Sequence, residues 1–419
     1  MAKFKISGGT PLNGEIIVAG NKNAALPILA ATILTDEECL IENIPEIKDV
    51  HSMMALLEDL GKKVEKINHN CYRITGIITH SHPNDELTSS LRASILLMSG
   101  LLARIGEVTI IPPGGCTIGR RKVDSHLDVL EYFGCIKNVV EKYYQIQLIK
   151  SHPADIFLRE ASVTATENAL LLGATITGTS IINNAACEPH VTDLAVVLEK
   201  MGAKIEGKGT NRLSVTGLKK LHGFAHRIMP DYIEAGTFAI IAACTNGTLT
   251  IHDAERWNLI MTAYHLENLN VKINFVADNI LKIEPSQLIS KVKKIQTGLW
   301  PGFPTDLMSP MIVLTTQAQG TTLCHDWMYE SRMFFVDKLI MMGAEITQCD
   351  PHRVLVTGPT RLRAQELSSP DIRAGIALVI AAMTARGTSI IDRVELIDRG
   401  YENIEQRLNN VGAHIQRLE

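Results

Sequence analysis

The chain has 419 residues, 46% hydrophobic and 21% charged, which is enough apolar material for two cored domains rather than one. Forty-one Lys and Arg against 45 Asp and Glu leave a formal charge of −4, which argues against a nucleic-acid or membrane-surface partner. The longest apolar runs, about ten residues, fall short of the ~18 a membrane span needs, and MAKFKISGGTPLNG has no secretory signal pattern, so a cytoplasmic protein is expected.

In chain order, Gly20-Asn21-Lys22-Asn23-Ala24-Ala25 opens the first apolar helix. A cation, backbone N–H groups and an amide at a helix start suit a phosphate-bearing ligand, and a plain start capped by Asn accounts for the same residues. From Asp36 a pattern begins that recurs from Gly106, Gly178, Gly247, Gly320 and Gly387, about 70 residues apart. Each copy reads β-α-β-α-β. In the copy at Gly178 the strand is Thr179-Ser180-Ile181-Ile182, and Leu194, Val197, Leu198 and Met201 form one buried stripe of the following helix. Gly202 ends that helix and Ala203-Lys204-Ile205 continues as strand. The helices before the Gly-Thr turns differ: AGTFAIIAACTNG and AGIALVIAAMTARG are apolar all round, the mark of helices buried on every side. Six units with buried helices predict two domains of three, sheets outside and helices inside. The boundary between the third and fourth copies is expected at Pro230-Asp231, and a site is expected in the cleft between the lobes.

The informative residues are those the repeat does not require. Residues 112–124, PPGGCTIGRRKVD, form a turn-rich insertion with Cys116 at its tip and Arg120, Arg121 and Lys122 close behind. Cations favour the thiolate, so this loop suits a reactive thiol, the duller reading being an incidental exposed cysteine. The other seven cysteines read as unpaired core thiols. Pro304-Thr305-Asp306 and Asp371-Ile372-Arg373 precede buried helices, while Glu330-Ser331-Arg332 and Asp398-Arg399 are expected to open surface helices. Aspartates there can be plain caps. Arg92, Arg332, Arg373 and Arg399 oppose the helix dipole, so each is expected to bind an anion or to pair with an adjacent carboxylate. His80/His82 and His222/His226 lack a third ligand, and neither GxxxxGK[ST] nor GxGxxG occurs, so neither a metal nor a nucleotide-triphosphate fold is expected.

The motifs GNKNAALPILAA from Gly20, PGGCTIGRRKVD from Pro113, PDYIEAGTF from Pro230, FPTD from Phe303 and IDRGYENIE from Ile397 together resemble the enolpyruvyl transferases, over essentially the whole chain. The resemblance is greatest to the branch acting on UDP-N-acetylglucosamine, since the branch acting on shikimate 3-phosphate lacks the cysteine loop. It implies an α/β fold, an inside-out α/β barrel of six β-α-β-α-β repeats in two domains: 22–229 carrying the Cys116 loop, and 1–21 plus 230–419, with the active site between them. It implies transfer of the enolpyruvyl group of phosphoenolpyruvate to the 3'-hydroxyl of UDP-N-acetylglucosamine, with release of phosphate, as the first committed step of peptidoglycan synthesis. The alternatives are the same chemistry on a related acceptor, or a non-catalytic UDP-sugar-binding homologue. Phosphoenolpyruvate and UDP-N-acetylglucosamine are the partners implied, with no cofactor, no metal, no nucleic acid and no membrane, and a monomer is expected.

Residue by residue, the resemblance makes Cys116, Asp306, Lys22 and Arg399 catalytic. Lys22 and Arg121 hold phosphate, and Arg92, Arg332, Arg373 and Arg399 add positive charge around phosphate and carboxylate. Asn23 and Asp306 contact the sugar, Asp306 also being the candidate base at the 3'-hydroxyl. Asp124, Ser162, Val163 and Glu188 line the nucleotide-sugar site, and Asp371 joins the substrate-binding set. Cys116 assists proton delivery or forms an adduct, and is the residue that fosfomycin-type epoxides would alkylate. Lys122, Thr164, Cys187, Gly302, Trp327 and Met328 depart from the usual family residues without removing any of these groups.

Overall fold

The computed structural model describes residues 2–114 and 123–419. Two compact units emerge, residues 20–114 with 123–229, and residues 2–19 with 230–419.

The first unit holds three sheets. One orders its strands Phe224–Arg227, Cys39–Glu42, Cys71–Thr75, Lys63–Asn68, and a second orders them Lys204–Glu206, Arg212–Gly217, Gly178–Asn183, Asp155–Phe157. Among the described residues the third has only Glu107–Ile110, Tyr143–Leu148 and Cys135–Val140. Residues 77–84 run where its fourth strand would lie, and a single backbone bond, Thr109 N–H to Ser81 C=O at 3.1 Å, ties them to it. Among the described residues the second unit holds three four-stranded sheets, centred on Thr248–His252 beside Ile280–Glu284 with Asn13–Ile17 at the edge, on Gly320–His325 beside Arg353–Gly358, and on Lys3–Gly8 beside Gly387–Asp392.

The full copies share one plan. An edge strand leads through a buried helix to a parallel neighbour (Ile182 opposite Ile156), and a half-buried helix then leads to an antiparallel hairpin (Gly178 opposite Gly217, Lys204 opposite Thr216). The repeat is therefore β-α-β-α-β-β, one strand longer than expected. The extra strand escapes sequence reading because the hairpins face outward: Lys63–Asn68 is exposed or half-exposed throughout and carries no apolar alternation. Strands are also exchanged between copies. Asn13–Ile17 precedes the first buried helix but pairs with Thr248–His252, and Phe224–Arg227 precedes the fourth but pairs with Cys39–Glu42. Lys3–Gly8 fills the place of the last copy's missing strand, between Gly387–Asp392 and Ile415–Leu418.

Gly202 closes its helix at φ +112°, a conformation costly for any residue with a Cβ, and Ala203 N–H bonds back to Leu198 C=O at 3.0 Å. In the copy that starts at Gly247 no glycine stands there; Asn270 takes the turn at φ +63°.

The all-round apolar helices are buried as expected. Every residue of Tyr232–Cys244 is buried, as is Ile372–Thr384 up to Met383 and Met308–Gln317 up to Thr316, and the three pack on one another. In the first unit Lys22–Ala31 and Val163–Gly173 both pack on Leu97–Ile105. Few polar side chains interrupt these helices, and several of those that do are bonded to neighbouring elements, as Ser99 is to Asn168 and Glu234 to Arg407. Of the seven described cysteines, all free, Cys39, Cys71, Cys135, Cys244 and Cys324 are core thiols. Cys187 is half-buried and Cys349 exposed, a correction that follows from strand alternation, since Cys349 lies on the outer face of Glu345–Asp350.

Candidate functional site

In the first unit Lys22 is the first residue of Lys22–Ala31, and its ammonium lies 2.6 Å from the Asp49 carboxylate, both side chains largely buried. Asn21 caps this helix, its Oδ1 accepting from Ala24 N–H at 3.0 Å, and Asn23 is half-buried in the first turn. Arg92 begins the 3-10 turn Arg92–Leu96 that runs into the buried helix Leu97–Ile105. Its charge and, above all, burial hold His126 down to about 4. Asp124, exposed, opens Asp124–Tyr132.

Ser162 caps the third buried helix, and Val163 is its first residue. Thr166, one turn on, accepts the Ala186 N–H at 3.0 Å, fixing that turn against the segment that leads to Glu188. Glu188 is the N-cap residue of Pro189–Lys200, and burial raises its carboxyl above the ordinary carboxylate range. Burial likewise raises fully buried Glu167 well above that range, with the Glu188 charge adding to it. Cys116 and Arg121 lie outside the described residues, as do Arg120 and Lys122. The foot of their loop is described: a Cβ on Gly114 would stand 1.4 Å from the Ser89 carbonyl oxygen, so only glycine fits.

In the second unit the centre is Asp306, on the 3-10 turn Thr305–Leu307 before the fifth buried helix. Its Oδ1 accepts from Arg332 Nη2 at 3.1 Å, and its Oδ2 accepts from Arg373 Nε at 3.0 Å and Nη2 at 2.9 Å. The arginine side chains are only 1% and 7% exposed. Two guanidiniums on one carboxylate keep it ionised, and its charge holds theirs in a buried place. Burial opposes the Arg373 charge, but Asp306, then Tyr401 and Asp231, hold its pKa above the ordinary arginine value.

Both arginines are thus paired, though not with the carboxylates beside them in sequence. Asp371 instead caps Ile372–Thr384, its Oδ1 accepting from Arg373 N–H at 2.8 Å and Ala374 N–H at 3.1 Å. Asp231 caps Tyr232–Cys244 in the same way, and burial raises its carboxyl to about 6, Glu234 raising it further and Arg373 opposing. Two expected placements need correction. Arg332 lies in a turn, four residues before Val336–Met341, and Arg399 ends the 3-10 turn Val394–Arg399 rather than opening a helix. Gly400 packs against Ile372 and Asn403 takes φ +42°, which delays the helix to Ile404.

Lys22, Asn23, Ser162, Val163, Asp306, Asp371 and Arg373 therefore lie at the N-terminal ends of buried helices, where exposed N–H groups and the dipole favour anions, while Asp124 and Glu188 stand at the starts of half-buried ones. Residues that sequence reading missed are Asp49, which holds Lys22, and Asp326, fully buried, which accepts from Thr305 Oγ1 and Thr297 Oγ1 and lies 3.8 Å from Arg332 Nε. Tyr401 was also missed, although it stands inside the IDRGYENIE motif. Among the described residues no group of three or more His, Cys, Asp or Glu is arranged to hold a metal. His82 is taken by Asp85, and His226 by Asp193 and Lys200. No described helix is long and apolar enough to cross a membrane.

Residues 6–408 match the family model described as EPSP synthase (3-phosphoshikimate 1-carboxyvinyltransferase). The chain belongs to this family. Within it, the chain is 46% identical to UDP-N-acetylglucosamine 1-carboxyvinyltransferase of Treponema denticola, over all of both chains. It is 44% identical to the enzyme of that name from Bradyrhizobium diazoefficiens, over 99% of this chain and 98% of that one. Among solved structures it is similar to the enolpyruvyl transferase NikO from Streptomyces tendae, with a TM-score of 0.89 and 21% identity over 99% of this chain and 98% of that chain. EPSP synthase from Acinetobacter baumannii matches with a TM-score of 0.77 and 17% identity over the whole of both chains. These two share the enolpyruvyl transferase α/β fold.

Proposed function

We propose that the chain transfers the enolpyruvyl group of phosphoenolpyruvate to the 3'-hydroxyl of UDP-N-acetylglucosamine, releasing phosphate and committing the sugar to peptidoglycan. The observation that carries this reading is the full-length identity to enzymes of that printed name, joined to the Asp306 carboxyl group held between two buried arginines.

The chemistry requires a proton on the methylene carbon while the sugar oxygen bonds to the neighbouring carbon. The hydroxyl proton leaves to a base, and loss of phosphate from the tetrahedral intermediate with a methyl proton restores the double bond. In this reading Asp306 takes the hydroxyl proton and Cys116 delivers the proton to the methylene carbon. Lys22 and Arg121 hold the phosphate, with Arg92, Arg332, Arg373 and Arg399 adding charge around phosphate and carboxylate. Asn23, Asp124, Ser162, Val163, Glu188 and Asp371 orient the nucleotide sugar. The set draws on both three-repeat domains, 22–229 and 1–21 plus 230–419, of an inside-out six-repeat barrel that works as a cytoplasmic monomer.

Phosphate release from phosphoenolpyruvate, followed with UDP-N-acetylglucosamine and with shikimate 3-phosphate as separate acceptors, tests the proposal. Release with the nucleotide sugar alone is expected. Release with shikimate 3-phosphate alone, or with neither, refutes it.

A further inference from the structure

Behind Arg373 runs a hydrogen-bond chain whose direction is fixed by chemistry. Arg373 Nη1 and Tyr401 Oη are 3.1 Å apart, Tyr401 Oη and Thr237 Oγ1 are 3.0 Å apart, and Thr237 Oγ1 lies 2.8 Å from the Ile233 carbonyl oxygen. A guanidinium only donates, so Tyr401 accepts from it. A carbonyl only accepts, so the one proton of Thr237 goes to Ile233, and the Tyr401 proton must go to Thr237. The order is therefore Arg373 to Tyr401 to Thr237 to the backbone of a wholly buried helix. Tyr401 is 1% exposed and Thr237 0%, so no solvent competes for these bonds. The Tyr401 ring also lies under the guanidinium, 5.5 Å from centroid to carbon.

We infer that Tyr401 is a positioning residue for the reaction proposed above, setting the rotation of the Arg373 guanidinium and through it the place of Asp306 Oδ2. Arg373 reaches Asp306 through Nε and Nη2 on one edge and Tyr401 through Nη1 on the other, so the two contacts pin the plane of the guanidinium. Thr237 sits one turn beyond Glu234 and shares the helix that Asp231 caps, which ties the chain's far end to that helix. A base that must meet one hydroxyl is sensitive to shifts of about 1 Å. The inference rests on the proposed function, because it assigns Tyr401 a part in that chemistry without substrate contact.

Tyr401→Phe removes only the hydroxyl. Assayed per folded molecule, well below the unfolding midpoint, kcat is expected to fall about tenfold or more with KM for the nucleotide sugar within about twofold, as a loss confined to the transition state requires. The acid limb of the kcat–pH profile should move to higher pH as the arginine loosens from Asp306. Thr237→Val should lower kcat in the same sense, and Thr237→Ser, which keeps the hydroxyl, should restore it. An active wild type with Tyr401→Phe and Thr237→Val both within twofold in kcat, and unchanged in pH profile, overturns the inference alone. A wild type that turns over neither acceptor overturns the functional reading and this inference with it.

Discussion

Asp306→Asn keeps the shape of the side chain and removes its charge. Arg332 and Arg373, 1% and 7% exposed, then lose the carboxylate they share. Breaking a buried ion pair by removing one partner typically destabilises by about 3–5 kcal/mol. Two facts reduce that figure: Asp306 itself is 27% exposed, and Asp326 stays 3.8 Å from Arg332. About 2 kcal/mol is therefore the expected loss, scaled down from the buried-pair range. For a unit of roughly 150–250 residues this lowers the unfolding midpoint by about 4–8 °C. Freed of their internal anion, the arginines become a better site for an external one, so inorganic phosphate should raise the midpoint of the variant more than that of the wild type. Turnover should fall by about 10²–10⁴-fold, as expected for loss of a general base. Differential scanning fluorimetry with and without phosphate, beside the phosphate-release assay, gives all three quantities. An unchanged midpoint with no greater response to phosphate would refute the electrostatic reasoning, and near-normal turnover would remove Asp306 from the chemistry.

Arg407→Leu leaves the Glu234 carboxylate, whose side chain is 4% exposed, without the two bonds of 2.6 and 2.9 Å it now receives. About 3 kcal/mol of stability should be lost, and a urea midpoint equal to wild type would contradict this. His126 is held to about 4 in the fold, mainly by burial and then by Arg92, against about 6.5 when unfolded. A base depressed in the fold stabilises fully above its unfolded pKa and loses that contribution as pH falls from about 6.5 to about 4. His126→Gln should therefore lose less stability than wild type between pH 7 and pH 4.5; equal losses would mean that His126 does not titrate in that window. Cys116→Ser should fold normally and take up no epoxide phosphonate, and an adduct mass on the variant would move the reactive thiol elsewhere. Burial pushes the Cys39 thiol to about 11 and the Cys135 and Cys324 thiols to about 12, so these three do not compete as thiolates.

What the sequence disclosed follows the range of its signals. The buried helices were legible because Tyr232–Cys244 and Ile372–Thr384 lack a polar face, a property of a dozen consecutive residues. The repeat was legible through glycines such as Gly202, and it weakened where Asn270 does the same work with a side chain. The hairpin partners were not legible, because outward-facing strands such as Lys63–Asn68 carry no apolar alternation. Strand exchange was beyond reach for another reason: whether Asn13–Ile17 pairs with its own copy or with Thr248–His252 is decided by long-range packing. The candidate site divides in the same way. Lys22, Asp306 and Arg373 stood out by residue type at helix starts, whereas the bonds that fix Asp306 join residues 26 and 67 positions away. Tyr401, an aromatic in a loop motif, gave no sign that its hydroxyl relays a bond from an arginine to a helix carbonyl.

The placement of Lys3–Gly8 between Gly387–Asp392 and Ile415–Leu418 bears on how the polypeptide matures on the ribosome. A strand that precedes its partners by nearly the whole described chain must wait for them during synthesis. Residues 20–229, continuous in sequence, can meanwhile close their own sheets once Phe224–Arg227 emerges. Until Gly387–Asp392 is made, Lys3–Gly8 trails as an unpaired strand with Phe4 and Ile6 uncovered, the kind of segment that chaperones shield from aggregation.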